Sequence, residues 1–211
     1  MLHKDPLIVK PETFALIRQL QTSSELNGFY LVGGTSLALQ LGHRNSIDID
    51  LFTVNEFDGE ELLKFLGEKY SVTPTFQRKG TLLTVVNSVK TDFVRHNYPL
   101  VKPPITEEGI TFLGKEDIAA MKLNAISNSG KRLKDFIDVY YLLEHFSMDE
   151  MIAFYTTKYP NFNPLIALRS VNYFDDIDPA IDPPKLKEKL PLSEIKKRIN
   201  DAVLHSKKRF G

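Results

Sequence analysis

The stretch "LVGGTSLALQLGHRNSIDIDLF", residues 31–52, places a glycine-rich turn and two alternating aspartates close together. The apolar run before the Gly-Gly pair predicts a buried strand. The segment "TSLALQLG" predicts a two-turn helix that begins at Thr35 or Ser36 and stops at Gly42. The strict alternation in "SIDIDLF" predicts a second strand with one wet face. Residues 31–52 therefore predict a strand, a turn, a short helix and a second strand.

Asp48 and Asp50 lie on one face of the predicted second strand. Side chains at i and i+2 of a strand point the same way, so Ile47, Ile49 and Leu51 are expected to face the core. Two close carboxylates repel each other unless a cation lies between them, and hard divalent cations such as Mg²⁺ prefer oxygen ligands. The alternative is a half-exposed strand whose outer residues happen to be acidic.

The turn at Gly33 and Gly34 offers backbone N–H groups at a helix start, where anions bind readily. An ordinary strand–helix turn with a Ser or Thr cap is the alternative. The turn matches neither the P-loop nor the dinucleotide-binding pattern. The side chains expected to reach the same anion are those of Thr35, Ser36, Arg44 and Ser46.

Residues 1–113 predict an α+β domain with a mostly antiparallel sheet. Helices are expected over 11–26 and 56–70, and the segments "SVTPTF", "TLLTVV" and "KTDFVRH" predict consecutive strands. The segment 98–109 contains three prolines and predicts a connection. Beyond it the pattern is helical, which defines a second region over 114–211. The helices expected there are 116–128, 132–146, 148–158, 164–174 and 193–209.

A third acid, Asp92, lies in the last of the three predicted strands. Set beside the strand that carries Asp48 and Asp50, it would complete a cluster of three carboxylates. Such a cluster suits two-metal phosphoryl transfer, in which the metals activate the attacking oxygen and stabilise the leaving one. Most lone strand acids simply face solvent, so the weight of Asp92 depends on the other two.

The composition excludes several classes of protein. The chain contains no cysteine, which excludes disulfide frameworks, thiolate catalysis and cysteine-ligated metals. Its formal net charge is zero, so no global charge calls for a nucleic-acid or membrane partner. No apolar run approaches about 18 residues, and the start has no signal-peptide pattern. We therefore expect a cytoplasmic protein without a membrane segment.

The pieces "GGTSLAL" and "HRNSIDIDLF" together resemble the glycine motif and Asp-x-Asp of the DNA polymerase β-like minimal nucleotidyltransferases. More narrowly, they resemble the AbiEii/AbiGii type toxins. A second segment, "MKLNAISNSGKRLKDFIDVYYLL" (121–143), is similar to the lysine helix and Asp-x-x-Asp stretch of that family. The segment "LRSVNYFDDID" (168–178) resembles a later family segment. The resemblance is thus spread over most of the chain.

The resemblance implies a nucleotidyltransferase-type mixed sheet with flanking helices over 1–113. It also implies a C-terminal helical region, 114–211, that completes the active site. Lys122 and Asp135 would be a functional pair, with the lysine countering triphosphate charge. Asp135 would orient that lysine or serve as general base, a role for which Asp92 is the other candidate. The further members of the segment are Arg132 and Asp138.

The residues of this segment also allow plainer explanations. Ile118, Met121 and Ala125 form an apolar stripe, and Lys122 lies at its edge, where lysines commonly extend their ammonium groups to water. Asp135 falls in the first turn of the next helix, where a carboxylate favours the helix dipole. The sequence alone leaves both explanations open.

The function implied by the resemblance is nucleotidyl transfer. An NTP would donate the group to an acceptor hydroxyl on a tRNA end or a protein, with Mg²⁺ or Mn²⁺ held by Asp48, Asp50 and Asp92. The protein would be the toxin of a toxin–antitoxin or phage-defence pair, neutralised by a separately encoded antitoxin. Two alternatives are a catalytically inactive nucleotide- or antitoxin-binding module, and a small-molecule nucleotidyltransferase of the antibiotic-modifying type.

Overall fold

The strand, helix and strand expected over 31–52 are present in the computed structural model, which describes residues 1–186 and 188–211. The helix begins at Gly33, earlier than the predicted start at Thr35 or Ser36, so the Gly-Gly turn forms the first turn of the helix. The two units into which the described residues divide are 1–98 with 104–113, and 99–103 with 114–211.

The first unit contains three α-helices and seven strands among its described residues. These are α1 (Pro11–Gln21), β1 (Tyr30–Val32), α2 (Gly33–Leu41), β2 (Ile49–Thr53), α3 (Gly59–Lys69), β3 (Val72–Arg78), β4 (Thr81–Val86), β5 (Val89–Arg95), β6 (Ile105–Glu107) and β7 (Ile110–Phe112), with a 3₁₀ turn at Ser24–Leu26.

The strands form one sheet in the order β3-β4-β5-β2-β1-β7-β6. β2 and β5 pair in parallel, as do β1 and β7, and the other neighbours are antiparallel. The sheet is therefore mixed, which confirms the predicted α+β class. The parallel pairing of β2 with β5 brings two of the predicted acidic residues next to each other.

Alternating burial fixes which face of β2 meets the core. Ile49 and Leu51 are fully buried, and Phe93 of β5 packs in the same cluster. Asp58 caps the next helix, α3, by accepting hydrogen bonds from two backbone N–H groups of its first turn. Leu66 is fully buried on the inner side of that helix. One face of β2 thus packs in the core, and the face that carries Asp50 lies outside it.

The prediction that Ile47 faces the core is wrong, because its side chain is 49% exposed. β2 begins only at Ile49, since β1 ends at Val32 and Val32 already pairs with Asp50. No further residue of β1 remains to pair with the chain at position 47. Asp48 accordingly precedes the strand instead of lying within it.

The connection predicted over 98–109 contains part of a hairpin that the sequence patterns missed. β6 and β7 are joined at Glu108 and Gly109, both of which have positive φ angles, 53° and 77°. Two consecutive positive φ values are typical of a two-residue type I′ hairpin turn. The prolines of 98–109 favour a loop, whereas the alternating "ITF" that follows is a strand in which Ile110 and Phe112 are buried.

The second unit is helical, as the sequence pattern predicts. Its helices are α4 (Lys115–Asn128), α5 (Leu133–Leu142), α6 (Met148–Lys158), α7 (Pro164–Val171) and α8 (Leu192–Leu204). Local signals set several of their starts. Ser147 and Glu150 form a reciprocal capping box at α6, and Asn163 caps α7.

A fully buried ion pair between α4 and α6 holds the segment 99–103 within the second unit. Lys158 Nζ lies 2.8 Å from Asp117 Oδ1 and donates a 3.2 Å hydrogen bond to the Pro99 carbonyl. Asp117 also accepts hydrogen bonds from the backbone N–H groups of Val101 and Lys102. A buried carboxylate needs such partners, and they hold the chain that leads out of β5.

Across residues 1–186 and 188–211, none of the helices combines the length and the apolar composition that crossing a membrane requires.

Candidate active site

The two glycines of the turn make room for the charged residues beside it. Gly33 has φ +68°, and a Cβ placed there would lie 2.3 Å from Asp50 Oδ2. A Cβ at Gly34 would lie 2.5 Å from a guanidinium nitrogen of Arg44 and 3.2 Å from Ser46 Oγ. Any larger residue would therefore displace these side chains. The start of α2 packs directly against an acidic and a basic residue of the predicted site.

The hydroxyls of the turn are turned inward. Thr35 is buried, and its hydroxyl donates to the Asp48 carbonyl oxygen and lies 2.9 Å from Ser46 Oγ. Ser36 is buried too, and its hydroxyl donates a 3.4 Å hydrogen bond to the Leu113 carbonyl. Thr35 thus holds the start of α2 to the chain that enters β2, and Ser36 holds it to the residue that follows β7. Direct binding of an anion by these hydroxyls stays a prediction.

Asp50 and Asp92 lie side by side on adjacent parallel strands. They are register partners in the β2–β5 pair, and neighbouring strands are about 4.8 Å apart. Asp48 precedes Asp50 by two residues and interacts electrostatically with Asp92. The structure therefore brings the three predicted carboxylates into one neighbourhood of the first unit.

The two oxygens of Asp92 are in different situations. Oδ2 lies 3.2 Å from Lys90 Nζ, whereas Oδ1 is buried and has no hydrogen-bond partner within the described chain. Burial raises the pKa of the Asp92 carboxyl, the negative charge of Asp48 adds to the rise, and Lys90 offsets only part of it. The Asp92 carboxyl therefore has a raised pKa, and its buried Oδ1 lacks a hydrogen-bond partner in the described part of the chain.

Lys90 is a member of this cluster that sequence reasoning missed. Burial lowers the pKa of its ammonium group, but attraction to Asp92, Asp48 and Asp50 raises it more, so that the net shift is upward. The signal was present in the alternation of "KTD", because residues two apart on a strand share a face. Lys90 therefore supplies positive charge among three acids.

The donor chemistry of this cluster fits a divalent cation. Among residues 1–186 and 188–211, no group of three or more Asp, Glu or His side chains has the geometry of a metal site. The buried Oδ1 of Asp92 nevertheless has no partner in that part of the chain, and carboxylate oxygens are the ligands that Mg²⁺ prefers. Asp50, on the neighbouring strand, is the carboxylate nearest in register.

The second unit contains the other group of predicted residues. Lys122 Nζ lies 2.8 Å from Asp135 Oδ1 and 2.8 Å from Asp138 Oδ2. All three side chains are buried, with exposed fractions of 8%, 6% and 0%. Lys122 therefore lies within the buried face of α4 and not at its edge, where the sequence placed it. Buried carboxylates are costly without a positive partner, and the Lys122 ammonium group is that partner for both Asp135 and Asp138.

Arg132 belongs to a neighbouring network at the start of α5. Its guanidinium lies 3.0 Å from Asp182 Oδ2 and 4.0 Å from Asp135 Oδ2. Lys134 contacts the other oxygen of Asp182. Partial burial raises the pKa of Asp182, but Lys134 and Arg132 lower it more, so that the net shift is downward.

The predicted site residues thus fall into two groups, one in each unit. The first unit holds Gly33, Gly34, Thr35, Ser36, Arg44, Ser46, Asp48, Asp50 and Asp92. The second unit holds Lys122, Arg132, Asp135 and Asp138.

Comparison with known proteins gives relatives in sequence and in fold. The family model of the nucleotidyl transferase AbiEii toxin, of type IV toxin–antitoxin systems, matches residues 15–100. An uncharacterized protein of Aquifex aeolicus, aq_aa25, is 33% identical over 174 residues, which are 80% of this chain and 84% of that protein.

Two solved structures share the fold at low sequence identity. MenT4, a nucleotidyltransferase toxin of Mycobacterium tuberculosis, is 16% identical with a TM-score of 0.60, covering 90% of this chain and 81% of its own. JHP933 of Helicobacter pylori is also 16% identical, with a TM-score of 0.57, covering 97% of this chain and 93% of its own.

The family match includes the Gly-Gly turn, the Asp-x-Asp strand and Asp92, and the sequence relative extends over most of the chain. The part of the chain that carries the Gly-Gly pair and the three acids therefore matches the AbiEii family of nucleotidyl transferase toxins.

Proposed function

We propose that the protein transfers a nucleotidyl group from an NTP to a hydroxyl on an RNA end or a protein, with Mg²⁺ or Mn²⁺ as cofactor. The observation that carries this proposal is the pairing of Asp50 with Asp92 on adjacent parallel strands, with Asp48 close by and Gly33 packed against Asp50.

In the proposed reaction, the acceptor oxygen forms a bond to the α-phosphorus while the bond to the bridging oxygen breaks and pyrophosphate leaves. A divalent cation bound by Asp48, Asp50 and Asp92 would stabilise the charge that develops on the phosphate oxygens. The acceptor hydroxyl loses its proton to Asp92, the carboxylate on the strand next to Asp50. The first backbone N–H groups of α2 face the anionic phosphates.

The Lys122–Asp135 pair is proposed as the second group that the reaction requires. Support comes from the family resemblance and from the 2.8 Å contact that holds the ammonium group beside the carboxylate. Lys122 would counter phosphate charge, and Asp135 would orient it, since Asp135 is already committed to this contact. Asp138 and Arg132 would act by fixing the pair.

The test is an incubation with each NTP, radiolabelled at the α-phosphate, together with Mg²⁺ and cellular RNA or lysate. The wild-type protein is expected to label one class of acceptor, and Asp50→Asn is expected to reduce the rate by more than about 100-fold. Glu61→Gln, an exposed charge change on α3, is the matched control and should retain full activity. Equal labelling by wild type and Asp50→Asn contradicts the proposal.

The two alternatives give different results in the same incubation. A catalytically inactive nucleotide- or antitoxin-binding module would bind NTP and transfer no label. A small-molecule nucleotidyltransferase would label a small hydroxylated acceptor and leave RNA and protein unlabelled. We further propose that a separately encoded antitoxin restrains the reaction, and that it takes place in the cytoplasm, where NTPs are available.

A further inference from the structure

The outer face of β2 and β5 changes from acidic to aromatic two residues beyond the paired acids. Asp50 and Asp92 are register partners, and two residues further along both strands Phe52 pairs with Val94. Side chains two apart on a strand share a face, so Phe52 and Val94 lie on the face that carries the acids. Two residues of strand correspond to about 6.7 Å. An apolar surface therefore adjoins the acidic cluster on the same face of the sheet.

This surface departs from the usual pattern of a half-exposed sheet. Leu51 and Phe93, on the opposite face, are fully buried in the core, whereas Phe52 and Val94 are partly exposed. The solvent face of such a sheet normally carries polar residues. Ligand sites, by contrast, are lined mainly by apolar and aromatic side chains beside a few polar groups. Aromatic residues and carboxylates on one face thus fit a ligand site better than a plain solvent face.

Two more rings extend the surface on either side of Phe52. Tyr30 of β1 is its register partner and therefore shares its face. The His96 backbone N–H donates a 2.7 Å hydrogen bond to the Thr53 carbonyl, which extends the pairing of β2 with β5 by one residue. The ring centroids of His96 and Phe52 are 5.2 Å apart, and those of His96 and Tyr98 are 4.7 Å apart. Backbone pairing and ring contacts thus hold a row of aromatic side chains in place.

We propose that this row stacks the nucleobase of the NTP whose phosphates lie at the acidic cluster. The row is hereafter called the Phe52 platform, defined by Tyr30, Phe52, Val94 and His96. That the ligand is an NTP rests on the proposed function. The stacking surface itself is a feature of the first unit and does not depend on whether nucleotidyl transfer follows binding.

The spacing between the acids and Phe52 matches the build of a nucleotide. One ribose separates the α-phosphate of a nucleotide from its base, and a ribose spans about the same length as two residues of strand. With the α-phosphate at Asp50 and Asp92, the base of an NTP would therefore reach Phe52. A free phosphate or pyrophosphate at the same acids would leave the rings uncovered.

The chemistry of the Phe52 platform suits any of the four bases. Every nucleobase has a flat π face, and such faces stack on the rings of phenylalanine, tyrosine and histidine. Stacking needs no hydrogen bond to the edge of the base. The platform should therefore favour nucleotides over inorganic phosphates without choosing among the bases.

The experiment is titration calorimetry with each NTP and with inorganic tripolyphosphate, both in Mg²⁺ and without an acceptor. We expect Phe52→Leu to weaken binding of the NTPs about tenfold and to leave binding of tripolyphosphate unchanged, because only the NTP has a base to stack. Phe52→Tyr keeps a ring and should bind NTP as the wild type does. In the label-transfer assay, Phe52→Leu should raise KM for the NTP and leave the rate at saturating NTP near that of wild type.

The matched control is Phe65→Leu, the same change at a partly buried ring of α3 that packs against the core. It should bind NTP and tripolyphosphate as the wild type does. Circular dichroism shows whether each variant is folded. Tyr30→Leu, on the neighbouring strand, provides a second measure and should also weaken binding of NTP without weakening that of tripolyphosphate.

Three results would overturn the proposal. They are an NTP affinity of Phe52→Leu equal to that of Phe65→Leu, equal losses for NTP and tripolyphosphate, and a wild-type protein that binds both ligands equally. Binding of NTP that depends on Phe52, by a protein that transfers no label, would remove the proposed reaction and keep the Phe52 platform. Label transfer by a Phe52→Leu protein with wild-type NTP affinity would keep the reaction and remove the platform.

Discussion

Gly33 determines how closely α2 approaches the Asp50 carboxylate. The sequence suggested glycines that expose backbone N–H groups, whereas the structure adds a steric reason, because a Cβ at Gly33 would lie 2.3 Å from Asp50 Oδ2. At the neighbouring Gly34, the space that a Cβ would need is occupied by the Arg44 guanidinium. Contacts between residues that are ten or more positions apart are not visible in the motif itself, which is why this role could not be predicted.

Gly33→Ala is expected to destabilise the protein by about 1–3 kcal/mol, because φ +68° is strained for alanine and the methyl group would displace Asp50. Label transfer should fall with it. Gly67→Ala is the matched control, since Gly67 lies in α3 with nothing within 4 Å of an added Cβ, and it should be stabilising by roughly 0.5–1 kcal/mol. Urea unfolding measures both. A Gly33→Ala protein as stable as wild type would contradict the steric argument.

Lys90 counters the charge of the acidic cluster when no cation is bound. Lys90→Met removes a competitor for the same carboxylates, so Mn²⁺ should bind more tightly, by about 1 kcal/mol or roughly fivefold, as for a half-exposed ion pair. Titration calorimetry with Mn²⁺ checks this without any turnover. Lys64→Met, remote from the cluster, should leave the Mn²⁺ affinity unchanged. Weaker Mn²⁺ binding by Lys90→Met would mean that the lysine positions the carboxylates instead of competing for them.

At the scale of elements, the accuracy of each sequence prediction depended on how local its signal was. The helices of the second unit carry their own apolar faces, α6 and α7 begin at side-chain caps, and all five lie close to the predicted positions. The alternation of β2 also fixed its buried face. The start of β2 depended on where β1 ends, and the β6–β7 hairpin depended on pairing with β1. Such pairings are long-range, so Ile47 and the strand at Ile105–Glu107 were mispredicted.

The start of α5 is connected through Asp182 to the segment between α7 and α8. Arg132 and Lys134 together hold the pKa of Asp182 below its usual range, although partial burial raises it. The contribution of this carboxylate to stability is therefore complete above its unfolded pKa of about 3.9 and is lost as the pH falls through the lower folded value. Asp182 has φ 51°, a conformation that asparagine tolerates, so Asp182→Asn changes the charge without straining the backbone.

Asp182→Asn is expected to lower the free energy of unfolding by about 0.5–1 kcal/mol at pH 7, the range for a partly exposed ion pair. The difference from wild type should shrink as the pH approaches 3. Asp175→Asn, an exposed change nearby, serves as the control and should have no effect at either pH. Urea titrations at several pH values give these differences. A difference that grows on acidification would contradict the assigned pKa direction.

At the scale of the whole molecule, the charged residues proposed for the reaction are divided between two units. Asp50 belongs to the sheet of the first unit, whereas Asp135 belongs to α5 of the second. The Asp-x-Asp and Asp-x-x-Asp patterns identified both residues from the sequence. The contacts that bury Asp135 against Lys122 needed the packing of α4 on α5, which no local pattern contains.

Because the family consists of toxins, growth of a host that lacks the antitoxin reports on the whole molecule. Induction of the wild-type protein is expected to stop growth, and Asp50→Asn and Asp135→Asn should each abolish this effect. Asp135→Asn is nearly isosteric and leaves Lys122 paired with Asp138 at 2.8 Å, so the helical unit should stay folded. Asp149→Asn, an exposed charge change on α6, should remain toxic. Toxicity that survives Asp135→Asn but not Asp50→Asn would assign the reaction to the residues of the first unit. The Lys122–Asp135 pair would then have a purely structural role, because Asp135→Asn preserves the ion pair between Lys122 and Asp138 and would have removed nothing that the chemistry needs.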